Sequence, residues 1–264
     1  MEPFHFTEGS SPLIVSCPHD GLALPPEIAE RMTPEALNLP DTDWHVARLY
    51  DFARDLGASL LLARYSRYVV DLNRDPSGQS LYPGADTTEI CPLTTFDRRA
   101  IYQNDAVPSK QEVAERIERY FLPYHAKLEQ VIADTVQQHG VAVLFDAHSI
   151  RSHVPRFFEG RLPDLNLGTD AGKSCDANLR ERAFAVLQAA QGYSAVADGR
   201  FKGGYITRHY AAPQKGVHTL QLELAQKNYM DERPPYTFDE PLARDLRVTL
   251  RALLEECLRW AKEQ

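Results

Sequence analysis

Cysteine is scarce in this sequence. Cys17, Cys91, Cys175 and Cys257 are the four in 264 residues, and they stand far apart with no paired spacing. That excludes a disulfide-stapled framework and fits a reducing compartment. Positive charge is also short: 29 Lys and Arg against 37 Asp and Glu leave a net charge of −8. Phosphate backbones and anionic membrane surfaces call for clustered Lys and Arg, so neither nucleic acid nor membrane is expected as a partner. Long apolar runs are missing too. The stretch from Met1 to Ser16 carries Glu2, Glu8 and only a short apolar patch, which is neither a signal peptide nor a membrane span. We therefore expect a cytoplasmic protein. No repeat, low-complexity stretch or shift in composition divides the chain, so a single domain over residues 1–264 is expected. A P-loop, a correctly placed G-x-G-x-x-G and a G-x-S-x-G elbow are all absent, which argues against nucleotide binding and serine hydrolysis.

What is present is ordinary globular material, 43% apolar and 25% charged. Short apolar runs alternate with helix-length amphipathic segments, the pattern of an α/β domain with a buried sheet. Strands are expected at Leu13 to Ser16, Ser59 to Ala63, Tyr68 to Leu72, Val141 to Phe145 and Thr219 to Leu224. Helices are expected from about Asp43 to Leu56, capped by Asp41 or Thr42, from Lys110 to His139 with a kink at Pro123, from Asp176 to Gln191, and from Pro241 to Lys262. Two long stretches with little periodicity, Asp75 to Pro108 and Ser149 to Ser174, have the character of site walls.

Polar clusters end several of the apolar runs, which is where ligands collect on an open α/β sheet. His19 follows the first strand within Ser16-Cys17-Pro18-His19-Asp20-Gly21. Asp146-Ala147-His148-Ser149 follows another, with Asp146 placed to orient a histidine ring. Two strand-end histidines suit zinc, whose third ligand is a histidine or a carboxylate. Asp43, at the start of a helix, is the candidate, although a helix cap would use the same residue. Asn73 and Arg74 end the run Ser66 to Arg74, where a guanidinium needs an anion: a bound carboxylate, or Asp71 or Asp75. In the strand Thr219 to Leu224, alternation puts Leu220, Leu222 and Leu224 on one face and Glu223 on the other, as a general base or as a solvated carboxylate. The segment Gly199 to Tyr210 is basic and glycine-rich within an acidic chain, either an anion-binding loop or a surface hairpin. Cys17 reads as a small packed thiol.

Taken in order, these blocks resemble the N-formylglutamate amidohydrolase family of histidine degradation from about Leu13 to Glu232. The resemblance is carried by Ser16 to Gly21, Asp41-Thr42-Asp43-Trp44, Ser66 to Arg74, Asp146 to Arg151, Leu162 to Gly168, Phe201 to Tyr210 and Gln221 to Gln226. It implies a three-layer α/β/α sandwich with a mixed, largely parallel sheet, zinc-carboxypeptidase-like (phosphorylase/hydrolase-like). It also implies metal-dependent hydrolysis of N-formyl-L-glutamate, with a divalent ion, zinc first, on His19, Asp43 and His148. Leu22 stands where the wider group has the glutamate of its H-x-x-E pair, so Asp20 and Asp41 stay open as alternatives to Asp43. Glu223 would be the catalytic base. Asn73 and Arg74 would hold one substrate carboxylate, and the basic segment with Lys202 and Arg208 the other. Tyr82, Phe96, Tyr205 and Tyr210 are candidate walls around the formyl group. The alternatives are a related metallo-amidohydrolase for another N-acyl amino acid or small peptide, and a non-catalytic binder of acidic ligands.

Overall fold

The computed structural model describes residues 2–79, 84, 86–104 and 106–264. Its centre is the seven-stranded sheet β1 (Phe4–Thr7), β2 (Leu13–Cys17), β3 (Ser59–Ala63), β4 (Ala142–Ile150), β5 (Leu165–Gly168), β6 (Ala195–Ala197) and β7 (Val217–Ala225), ordered β1-β3-β2-β4-β7-β5-β6. Strands β3, β2, β4 and β7 run parallel, while β1 and the β5–β6 pair run against them. The parallel strands are buried on both faces, so they read as nearly continuous apolar runs.

Helices α1 (Pro26–Ala29), α2 (Val46–Leu49), α3 (Lys110–Arg116), α4 (Leu122–His139), α5 (Ala177–Ala189), α6 (Tyr205–His209) and α7 (Glu240–Lys262) complete the fold. One apolar layer joins Leu13, Val15, Phe145, Leu220 and Leu222 to α2, α5 and α7; the other joins Ile14, Leu61 and Leu144 to α4. The result is the expected α/β/α sandwich with a mixed, largely parallel sheet. Among the described residues, no helix is long and apolar enough to cross a membrane.

Sequence chemistry sets the helix ends. Asp176 and Asp239 cap α5 and α7 by accepting backbone N–H bonds, and Gly140 ends α4 at φ 77°, a conformation glycine adopts without strain. Pro123 lacks an N–H to donate back into the helix, and a π-helical turn over Ile117–Phe121 absorbs the break between α3 and α4.

Two expectations fail locally. The helix from Asp43 to Leu56 is only α2 followed by a 3-10 segment, Asp51–Leu56, and its first turn is bonded by Asp20, whose Oδ1 accepts from Ala47 N at 3.1 Å. Tyr68 to Leu72 is not a strand. Its carbonyls are satisfied by buried side chains instead of a ladder: Arg116 donates to Val69 O at 3.2 Å, and His125 Nε2 donates to Leu72 O at 2.9 Å. The apolar side chains of this run still enter the core, which is why its composition imitates a strand.

Candidate metal centre

The site follows from the sheet's alternation. Along β4 and β7, Val143, Phe145, Ala147, Leu220, Leu222 and Leu224 face α5 and α7, so Asp146, His148, Gln221 and Glu223 face the opposite layer. Parallel pairing sets Asp146 beside Gln221 and His148 beside Glu223. On that face α4 packs over the early parts of the strands, against Ala142 and Leu144, and the carboxyl ends are left to polar groups.

His19, just beyond β2, Asp43, just before α2, and His148 on β4 offer one ligand atom each within 4.8 Å of one another, all buried. The Asp43 Oδ2 atom lies 2.9 Å from His148 Nδ1 and 3.7 Å from His19 Nδ1. It also accepts from Ser149 N at 3.1 Å. Each ring is held from behind through its other nitrogen. His19 Nε2 donates to Asp71 Oδ1 at 2.7 Å, and His148 Nε2 stands 3.0 Å from Asp146 Oδ2. A carboxylate behind each imidazole orients the ring so that Nδ1 faces the common centre, the arrangement found around metal-binding histidines, and Asn73 Nδ2 also lies 2.9 Å from His148 Nε2. Two imidazoles and a carboxylate, all buried, therefore fit a divalent ion. Asp20 caps α2, and Asp41 accepts from Tyr68 Oη at 2.6 Å and from Phe96 N at 2.8 Å; neither belongs to the triplet.

Electrostatics agree with this geometry. Burial alone would push the Asp43 carboxyl up, but His19 and His148 outweigh it and hold it below the usual carboxylate range. Burial likewise opposes charge on His148, and Asp146 and Asp43 reverse that, raising its pKa well above the ordinary imidazole value. Glu223 is pushed up to about 8, by burial first and by Asp43 and Asp146 in addition, against the pull of His148 and Arg67. Arg67, itself buried, joins the two sides: Nη2 reaches Asp71 Oδ2 at 2.6 Å, and Nη1 stands 3.6 Å from Asp43 Oδ1.

These groups open into a cleft of about 140 Å³. His19, Asp43, His148 and Glu223 line it together with Arg67, Asn73, Arg74 and Arg200, and Phe96, Phe157 and Phe201 form an aromatic wall. Asn73 is almost wholly buried. Its Nδ2 donates to Asp146 Oδ2 at 3.2 Å and its Oδ1 accepts from Ile206 N at 2.7 Å, so it ties the loop before Arg74 to β4 and α6. Lys202 is exposed, and Arg208, on α6, pairs with Asp170 at 3.1 Å; neither lines the cleft, whereas Arg200 from the same segment does. Of the candidate walls, Phe96 lines the cleft, Tyr205 and Tyr210 pack around His125, and Tyr82 lies outside the described residues. Cys17 belongs to the apolar layer facing α5 and α7.

Asp71, Arg67, Gln221 and Arg200 were missed as site residues from sequence. A charge inside the apolar run Val69 to Leu72 was the available signal for Asp71, and the polar face of β7 for Gln221, whose Nε2 is 3.5 Å from Glu223 Oε2.

Comparison with known proteins matches this architecture. The N-formylglutamate amidohydrolase family model covers residues 11–230. The N-formylglutamate deformylase of Pseudomonas aeruginosa is 50% identical over 263 residues, covering 100% of this chain and 98% of that protein. The enzyme of the same name from Pseudomonas putida is 49% identical over 259 residues, 98% of this chain and 97% of its own. The crystal structure of N-formylglutamate amidohydrolase from Ralstonia eutropha superposes with a TM-score of 0.81 at 26% identity, covering 100% of this chain and 98% of that one. With sequence likeness along its whole length, the same fold and a buried His-Asp-His centre, the chain belongs to the N-formylglutamate amidohydrolase family.

Proposed function

We propose that this chain hydrolyses N-formyl-L-glutamate to formate and L-glutamate, using a zinc ion held by His19, Asp43 and His148. The carrying observation is the meeting of these three buried donors in one cleft with Glu223. The relatives' names supply the substrate. Held by His19, Asp43 and His148, a zinc ion would supply Lewis acidity to a carbonyl oxygen and to water.

The remaining work belongs to the chain's own side chains. Glu223 takes the proton of the attacking water and returns it to the departing nitrogen, so that the formyl C–N bond breaks as the new C–O bond is kept. Asp71 and Asp146 keep the two rings in register. Arg74 holds one substrate carboxylate, with Asn73 fixing the loop that presents it. Phe96, packed with its ring 4.9 Å from the Arg67 guanidinium, walls the cleft. A formyl carbon carries hydrogen where other acyl groups carry carbon. One methylene is worth only about 1–3 kcal/mol of binding, so rejection of larger acyl groups needs such a wall. The four cysteines are free and buried, which supports a reducing, cytoplasmic setting.

Parallel assays on N-formylglutamate, N-formylaspartate and N-acetylglutamate test the reading. Formate release fastest from N-formylglutamate is expected. A preference for another acyl group or another amino acid would make the chain a related amidohydrolase instead, and hydrolysis of none with binding retained would make it a non-catalytic binder.

A further inference from the structure

N-formylglutamate carries two carboxylates, and a chain of net charge −8 must meet them with local cations. Three guanidinium groups line the cleft, and each is held differently. Arg67 is engaged by Asp71 beside the metal ligands. Arg74 reaches Asn73 O and Thr88 Oγ1, each at 3.3 Å, on the loop before the cleft. Arg200 comes from a separate loop, between β6 and α6. Its guanidinium lies 5.9 Å from the Phe157 ring centre and 5.5 Å from that of Phe201, with Nε donating to the Phe157 carbonyl.

Resting on the deformylase reading, we propose that Arg200 is the specificity-determining residue for the substrate's side-chain carboxylate. The cleft would then select N-formyl amino acids with acidic side chains over their neutral counterparts. A carboxylate is matched best by the planar fork of an arginine, and the fork costs least entropy when it is already oriented. Contact with two aromatic rings and a backbone carbonyl supplies that orientation. The same rings offer apolar surface to the methylenes between the two carboxylates. The neighbouring cations Lys202 and Arg208 are not among the residues that line the cleft.

The test compares kcat/KM for N-formylglutamate and for N-formylglutamine, its neutral isostere, in wild type, R200Q and R200K. Wild type should favour N-formylglutamate. R200Q should lose about 10- to 100-fold on N-formylglutamate, the usual worth of a charge-assisted contact, and change little on N-formylglutamine. R200K should recover only part of the loss. Metal content and the denaturant midpoint of each variant serve as the folding controls. An active wild type whose substrate ratio is unchanged in R200Q, or equal losses on both substrates, would overturn the assignment alone. Formate release from neither substrate by wild type would overturn the deformylase reading beneath it.

Discussion

Asp71 Oδ1 stands 2.7 Å from His19 Nε2, behind the ring whose Nδ1 faces Asp43. Burial alone would raise the Asp71 carboxyl, but Arg67, His19 and Arg74 overcome it and hold it ionised well below the usual range. One charge thus orients the His19 ring and neutralises the buried Arg67. Asp71→Asn keeps the shape and removes the charge, so metal affinity should fall about 10- to 100-fold. Competition with a chelator of known affinity measures this, and unchanged retention of the ion would remove Asp71 from the role.

Glu223→Gln should keep the metal, since Glu223 is not one of the three donors, yet lower turnover by about 10²-fold or more. Metal analysis and formate release on one preparation separate the two effects. Near-normal turnover would mean that another group moves the proton.

The sheet and its order of layers were legible because buried parallel strands and amphipathic helices have different periods, and Leu13 to Ser16, Ser59 to Ala63 and Thr219 to Leu224 fall within strands. Strands β1, β5 and β6 were not read: they span only four, four and three residues, too few for alternation to show. Tyr68 to Leu72 deceived for a different reason. Periodicity registers burial, but it does not reveal that Arg116 and His125, far along the chain, satisfy the backbone. At the site, His19 and Asp43 were legible as candidate donors at element ends; His148 was legible as a third, although β4 runs on through it to Ile150. Arg200 was not distinguishable from Lys202 and Arg208, because the aromatic partners Phe157 and Phe201 come together only in the folded chain.

Gly204 precedes α6 where a Cβ would stand 2.4 Å from Asn73 Nδ2. Asn73 is bonded to β4 and α6, so moving aside would break those bonds. Gly204→Ala should therefore cost about 1–3 kcal/mol of stability through overpacking and lower turnover as Asn73, whose Nδ2 lies 2.9 Å from His148 Nε2, is displaced. Denaturant midpoints read the first effect; an unchanged midpoint with full activity would show that Asn73 yields freely.

His125 is buried with Nε2 on Leu72 O and Nδ1 2.8 Å from Tyr210 Oη, and burial first, then His209, pushes its pKa down to about 4. The unfolded chain takes up this proton near 6.5 and the folded chain only near 4, so stability should fall as pH drops between those values. The full shift is worth about 3 kcal/mol. His125→Gln should flatten that part of the profile. Unfolding free energies at several pH values for both proteins, with parallel curves between pH 6.5 and 4, would contradict it.

Metal-dependent deformylation is tested most directly by measuring metal content and formate release from N-formyl-L-glutamate on the same purified protein, before chelation, after it, and after zinc is restored. Stoichiometric metal, loss of formate release on stripping and recovery with zinc are predicted. Full formate release from metal-free protein, or stoichiometric metal with no formate released, would contradict it.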